Sequence, residues 1–145
     1  MKQVTYETYN MPKVFTSETQ KIGEMGENIA VKFLVKQDFS ILERNYTKKW
    51  GEIDIVAEKD KKIYFIEVKS VSRETLDSVT HETLDQYHPE DNMHPWKLKR
   101  LSRVIQTYLL SKNLDDKEWQ VDLLVVFLNL KDKNAKIKVV KDIIL

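Results

Sequence analysis

Glu52 and Asp54 alternate in the stretch Gly51-Glu52-Ile53-Asp54-Ile55-Val56-Ala57, and Glu67 and Lys69 alternate in Phe65-Ile66-Glu67-Val68-Lys69-Ser70. Residues two apart on an extended chain share a face. Both stretches are rich in β-branched and aromatic residues, and Asp60-Lys61 lies between them, so residues 52–59 and 62–71 are expected to form a hairpin. A turn symmetric about Asp60-Lys61 sets Asp54 opposite Glu67 and Glu52 opposite Lys69, all four on one face. Ile53, Ile55, Ala57, Tyr64, Ile66 and Val68 then fall on the other. Opposed carboxylates with Cβ atoms about 5 Å apart repel by roughly 3 kcal/mol at an effective dielectric of about 20. A hard divalent cation such as Mg2+, Mn2+ or Ca2+ between them reverses that sign. Lys69 can offset charge and orient an anion or a water. The plain alternative is a solvated face on which Lys69 pairs with a carboxylate. Val56 and Phe65 share that face, which argues for a helix covering it, and a half-buried acid pair without a partner is costly.

The elements that must hold this hairpin follow from periodicity. Over residues 17–36, Ile22, Met25, Ile29 and Phe33 recur at helical spacing, with Ala30 and Leu34 beside them. Gly23 and Gly26 each cost this helix about 1 kcal/mol relative to Ala, so a close neighbour is expected to justify them. Glu27 sits at the edge of the apolar stripe, where its side chain can reach the sheet; Glu24 lies further round. Residues 39–48 form a first strand. Pro95 opens a second helix to about residue 112, with Leu98, Leu101, Ile105, Tyr108 and Leu109 as its buried stripe. Strands at 119–129 and 136–140 complete the order α-β-β-β-α-β-β. The helix between the third and fourth strands makes those strands parallel, and the short connections make the first three antiparallel. The expectation is an α/β fold with a mixed central sheet and a helix on each face, in a single domain from residue 17 to 145. Residues 1–16 are expected to be a loose arm, and residues 72–94 a long acidic loop.

Composition narrows the chemistry. Cysteine is absent, which excludes disulfides, thiolate metal sites and cysteine nucleophiles, and fits a cytoplasmic location. No apolar run is long enough to cross a membrane, and the first residues lack the pattern of a secretory signal. Net charge is only +1, so nucleic-acid binding must rest on local clusters. Two such clusters flank the hairpin: Lys48 and Lys49 with Trp50 before it, and Lys97, Lys99, Arg100 and Arg103 opening the second helix. They can track a phosphate backbone, or they can simply be solvated faces. His81, His88 and His94 are too widely spaced in an irregular stretch to suggest zinc.

The ordered set Gly23-Glu24-Met25-Gly26-Glu27-Asn28-Ile29-Ala30, Arg44-Asn45-Tyr46, Gly51–Ala57, Phe65–Ser70, Lys97 and Val121-Asp122 resembles the YraN-like branch of the PD-(D/E)XK nuclease superfamily. That branch is similar to archaeal Holliday-junction resolvases. The resemblance implies the three-layer fold of restriction endonucleases and a Mg2+- or Mn2+-dependent endonuclease acting on DNA, including branched or junction DNA, and working as a homodimer. It implies metal ligation by Asp54 and Glu67, a water-directing Lys69, and Glu27 as a helix-borne acid. Ile53 stands in place of the superfamily's proline, and Gln120 in place of an arginine usual in the branch. A nuclease-like module that binds nucleic acid or a partner protein with little catalysis is the competing class; the intact Asp54, Glu67 and Lys69 favour the enzyme.

Overall fold

The computed structural model describes residues 6–10, 19–73 and 95–145. The expected acidic loop from residue 74 to 94, with its histidines, and the rest of the N-terminal arm lie outside the described residues. The elements are β1 (Tyr6–Asn10), α1 (Thr19–Lys36), β2 (Ser40–Lys48), β3 (Gly51–Lys59), β4 (Lys62–Arg73), α2 (Pro95–Ser111), β5 (Trp119–Asn129) and β6 (Asn134–Val140). One sheet runs in the order β1-β6-β5-β4-β3-β2, with β4 and β5 parallel and the other neighbours antiparallel. Ile29, Ala30, Phe33 and Leu34 of α1 pack on one face, against Ile55, Ile66 and Leu124. Leu101, Val104, Ile105, Tyr108 and Leu109 of α2 pack on the other, against Val56, Phe65 and Val125. The protein therefore has the expected α/β architecture, a mixed sheet between two helical layers, consistent with the restriction-endonuclease-like arrangement.

The N-terminal arm and the end of β4 differ from the sequence reading. Part of the arm is a strand: β1 pairs antiparallel with β6, Tyr6 facing Lys138 and Asn10 facing Asn134. Its five residues carry no periodic signal, and its pairing partner lies at the far end of the chain. Ser72 and Arg73 continue β4 rather than opening the loop, because β5 is long enough to pair with them through Leu128 and Asn129.

Local chemistry fixes the helix ends and the hairpin. Each helix stops in a Schellman arrangement with a left-handed residue, Asp38 at φ 68° and Asn113 at φ 56°. In each, the next residue's N–H bonds back into the last turn, Phe39 to Leu34 at 3.0 Å and Leu114 to Leu109 at 2.8 Å. Asp60 and Lys61 both have positive φ, 51° and 66°, as a two-residue type I′ turn requires. That turn sets Lys59 against Lys62 and carries the ladder as far as Ile55 against Ile66. Among the described residues no helix is long and apolar enough to cross a membrane.

Candidate metal centre and nucleic-acid interface

The β3–β4 ladder stops one step short of the expected Asp54–Glu67 pair. In its place the Asp54 carboxylate accepts the Val68 backbone N–H through Oδ2 at 2.8 Å. The same level of β2 is irregular. Asn45 lies between the Arg44–Ile55 and Tyr46–Ile53 pairs, across from Asp54, and has φ 53°. Asn tolerates this left-handed conformation better than most residues. Its consequence is a switch of faces. Arg44 reaches α1, whereas Tyr46 packs edge-on against Tyr108 of α2 at 5.0 Å. On β3, Ile55 lies in the core under α1 and Ile53 in the core under α2. The expectation that Ile53 shares a face with Ile55 and Ala57 is corrected here: strict alternation fails where the backbone turns over between them.

Asp54, Glu67 and Lys69 nevertheless come together. They line a cavity of about 650 Å³ between the start of β3, the middle of β4 and the first turns of α2. Glu52 joins them from β3, and Trp96, Lys97 and Arg100 close the helical side. Glu67 is the more deeply held acid. Its Oε1 is buried and has no hydrogen-bond partner among the described residues, while the Asp54 backbone N–H donates to its carboxylate. Burial, reinforced by the charge of Asp54, pushes Glu67 up to about 8. Burial also pushes Asp54 up to about 6; the Val68 bond opposes this, and the charges of Glu27 and Glu52 add to it. Lys97 pulls both acids down.

Glu27 stands close enough to raise Asp54 but does not line the cavity. Its carboxylate is paired with Arg44, whose guanidinium Nη2 lies 3.2 Å from Glu27 Oε1 and also donates to Asn28 Oδ1 at 2.7 Å. Helix α1 comes this near the sheet because Gly26 faces Ser70 of β4: a Cβ at Gly26 would lie 3.0 Å from Ser70 Cβ and closer to its Oγ. Gly23 faces open space, so only one of the two glycines has the close neighbour expected.

The two basic clusters meet at Trp50. Arg100 donates its Nε–H to the Trp50 carbonyl at 3.1 Å, and the Arg103 guanidinium lies over the Trp50 ring at 4.6 Å. Lys97 and Arg100 line the cavity; Lys48, Lys49, Lys99 and Arg103 do not. Lys48 lies over the Tyr46 ring at 5.1 Å. Gly51 lets the turn sit against α2, since a Cβ there would meet Val104 Cγ2 at 2.9 Å on a backbone with φ 154°. Gln120, standing where the resemblance has an arginine, donates to Asp122 Oδ1 at 2.7 Å; Asp122 is buried and also accepts the Asp142 N–H at 3.0 Å, away from the acidic cavity.

The roles of Arg44 and Asn45 do not show in the sequence, because one is a contact with α1 and the other a left-handed backbone. Trp96 carried no signal beyond its place before Lys97. Among the described residues no three His, Cys, Asp or Glu side chains form a ready-made metal cage. Two carboxylates leave most of a cation's coordination to water and phosphate, which is the habit of Mg2+ rather than of an all-protein site.

Comparison with known proteins places this arrangement in a family. The profile of UPF0102, an uncharacterised protein family, matches residues 26–126. A UPF0102 protein of Campylobacter fetus subsp. fetus is 38% identical over 104 residues, covering 72% of this chain and 81% of that one. A UPF0102 protein of Flavobacterium psychrophilum is 33% identical over 116 residues, covering 80% and 88%. The matched span begins at the glycine that seats α1 on Ser70 and takes in every residue lining the acidic cavity. The chain thus belongs to the uncharacterised family UPF0102, the YraN-like family whose motifs its sequence carries.

Proposed function

We propose that the protein is a Mg2+- or Mn2+-dependent endonuclease of the cytoplasm that hydrolyses DNA phosphodiester bonds, with branched and junction DNA among its candidate substrates. The observation that carries this is the acid pair at the β3–β4 fork: the unpartnered Glu67 Oε1 beside Asp54, in a cavity whose other wall is cationic. Two half-buried carboxylates this close are costly by themselves, and a divalent cation relieves the cost. Asp54 and Glu67 would hold the cation. When bound, it supplies an activated water and neutralises charge on the scissile phosphate. Lys69, on the same wall, orients the attacking water and takes up phosphate charge. Lys97 and Arg100 hold the phosphate from the α2 side, and Lys48, Lys49, Lys99 and Arg103 extend the positive surface along the backbone. Glu27, fixed by Arg44, adds negative charge behind Asp54.

The second reading, a binding module with little catalysis, draws on one observation: the helix-borne acid Glu27 is paired with Arg44 and does not line the cavity. Cleavage of duplex, single-stranded, flap and four-way DNA with Mn2+ separates the two. The enzyme reading expects cleavage of at least one substrate by the wild type and none by Asp54→Asn or Glu67→Gln. Lys69→Met should retain Mn2+ binding by calorimetry yet lose cleavage. Wild-type protein that binds DNA but neither binds Mn2+ nor cleaves would establish the module instead.

A further inference from the structure

Among the described residues, Trp96 is the large aromatic that stays exposed. Trp50 and Trp119 are half-buried and packed against the cluster under α2, whereas Trp96 is 59% exposed. A single exposed aromatic is ordinary on a protein surface. This one stands in the wall of the acidic cavity, next to Lys97 and within reach of Arg100, whose guanidinium lies over its ring at 5.7 Å. Arg100 is itself held by its bond to the Trp50 carbonyl. An indole, a braced guanidinium and a lysine therefore face the same space as Asp54 and Glu67.

That combination fits one nucleotide: cations for its phosphate and a flat apolar surface for its base. We infer that Trp96 is a stacking platform for an unpaired base, so that the cavity takes DNA strands with unpaired bases at the bound phosphate in preference to blunt duplex. The physical reason is geometric. In a duplex both faces of a base are covered by its neighbours, so an indole beside the backbone finds no face to meet. An unpaired base at a single-stranded end, a flap or a branch point offers one. The inference rests on the reading of the cavity as a phosphodiester site for the identity of its ligand.

The test is the affinity of the full chain for a labelled single-stranded oligonucleotide and for the same sequence as a blunt duplex, in metal-free buffer, followed by anisotropy. Wild type should prefer the single strand. Trp96→Ala should weaken single-strand binding about tenfold, equivalent to about 1.4 kcal/mol, and leave duplex binding nearly unchanged, with a melt of the same preparation verifying that it is folded. Trp96→Phe should restore most of the lost affinity. Equal single-strand affinity in wild type and Trp96→Ala would overturn the inference, as would a wild type that prefers blunt duplex or binds neither. Mn2+ titration of the same proteins keeps the two readings apart. Mn2+ binding without single-strand preference removes the stacking platform alone. A Trp96-dependent preference without Mn2+ binding supports the platform and removes the metal site.

Discussion

The Asp54 carboxylate accepts the Val68 backbone N–H at 2.8 Å, taking over where the β3–β4 ladder ends at Ile55 and Ile66. A side chain here replaces a main-chain acceptor and holds the splayed strands beside Glu67. Asp54 therefore has a structural task that Asn can share and Ala cannot. In metal-free buffer Asp54→Asn should leave stability unchanged or raise it, since the amide oxygen still accepts while a repulsion of at most about 3 kcal/mol is removed. Asp54→Ala should lower stability by about 1–3 kcal/mol, because the Val68 N–H loses its partner. Urea denaturation of the three proteins checks this; equal stability of the two variants would show that the bond contributes nothing.

Protonation of the acid pair predicts an unusual pH profile. Glu67 rises from an ordinary 4.5 to about 8 in the folded protein, chiefly by burial, and Asp54 from 3.8 to about 6. The folded state thus binds these protons more tightly than the unfolded state. Stability in metal-free buffer should be fullest below about pH 4, as far as this pair is concerned, and fall as pH rises to about 8. Glu67→Gln should flatten most of that fall. Mn2+ should stabilise the wild type most at the alkaline end, where both acids are charged, and the variant much less. Melting curves across this range decide it; a metal-free wild type that grows more stable towards pH 8 would contradict the burial argument.

The glycines of α1 should behave in opposite ways. Gly26→Ala places a methyl group against Ser70 and should cost about 1–3 kcal/mol, through displacement of α1 from β4. Ser70→Gly in the same protein should recover much of the loss. Gly23→Ala meets open space and should gain up to about 1 kcal/mol from helix propensity. Thermal melts of the three variants are sufficient, and equal effects at the two glycines would refute the close approach.

The legible and illegible parts of this protein divide along physical lines. The hairpin register followed from local chemistry, since two β-rich runs around Asp60-Lys61 leave a two-residue turn and little freedom to slip. The helices followed from their apolar stripes. Asn45 was opaque because its left-handed backbone turns the strand over, moving Tyr46 and Ile53 to the α2 side against the alternation that a strand reading assumes. Arg44 was opaque for a different reason: its partners Glu27 and Asn28 belong to another element, and nothing local specifies that meeting. In the sequence Arg100 and Arg103 belong to a cluster that either tracks phosphate or is solvated; in the structure both brace Trp50.

That brace changes how the basic surface must be tested. Removing Lys99, Arg100 and Arg103 together cannot isolate a phosphate contact, because the arginines also anchor the turn that carries Gly51 against α2. Lys97 and Lys99 are the cleaner probes. Both are exposed, and only Lys97 lines the acidic cavity. If both contact phosphate, Lys97→Ala and Lys99→Ala should each lower the slope of log affinity against log salt by about one unit and leave the melting temperature near that of the wild type. Arg103→Ala should lower the melting temperature as well, having removed a cation–π contact of about 0.5–1 kcal/mol over Trp50. Arg103→Lys should keep the charge and part of that contact. Binding to one oligonucleotide at several salt concentrations, beside melts of the same preparations, separates the two effects. A slope unchanged in both lysine variants would mean that neither Lys97 nor Lys99 meets phosphate.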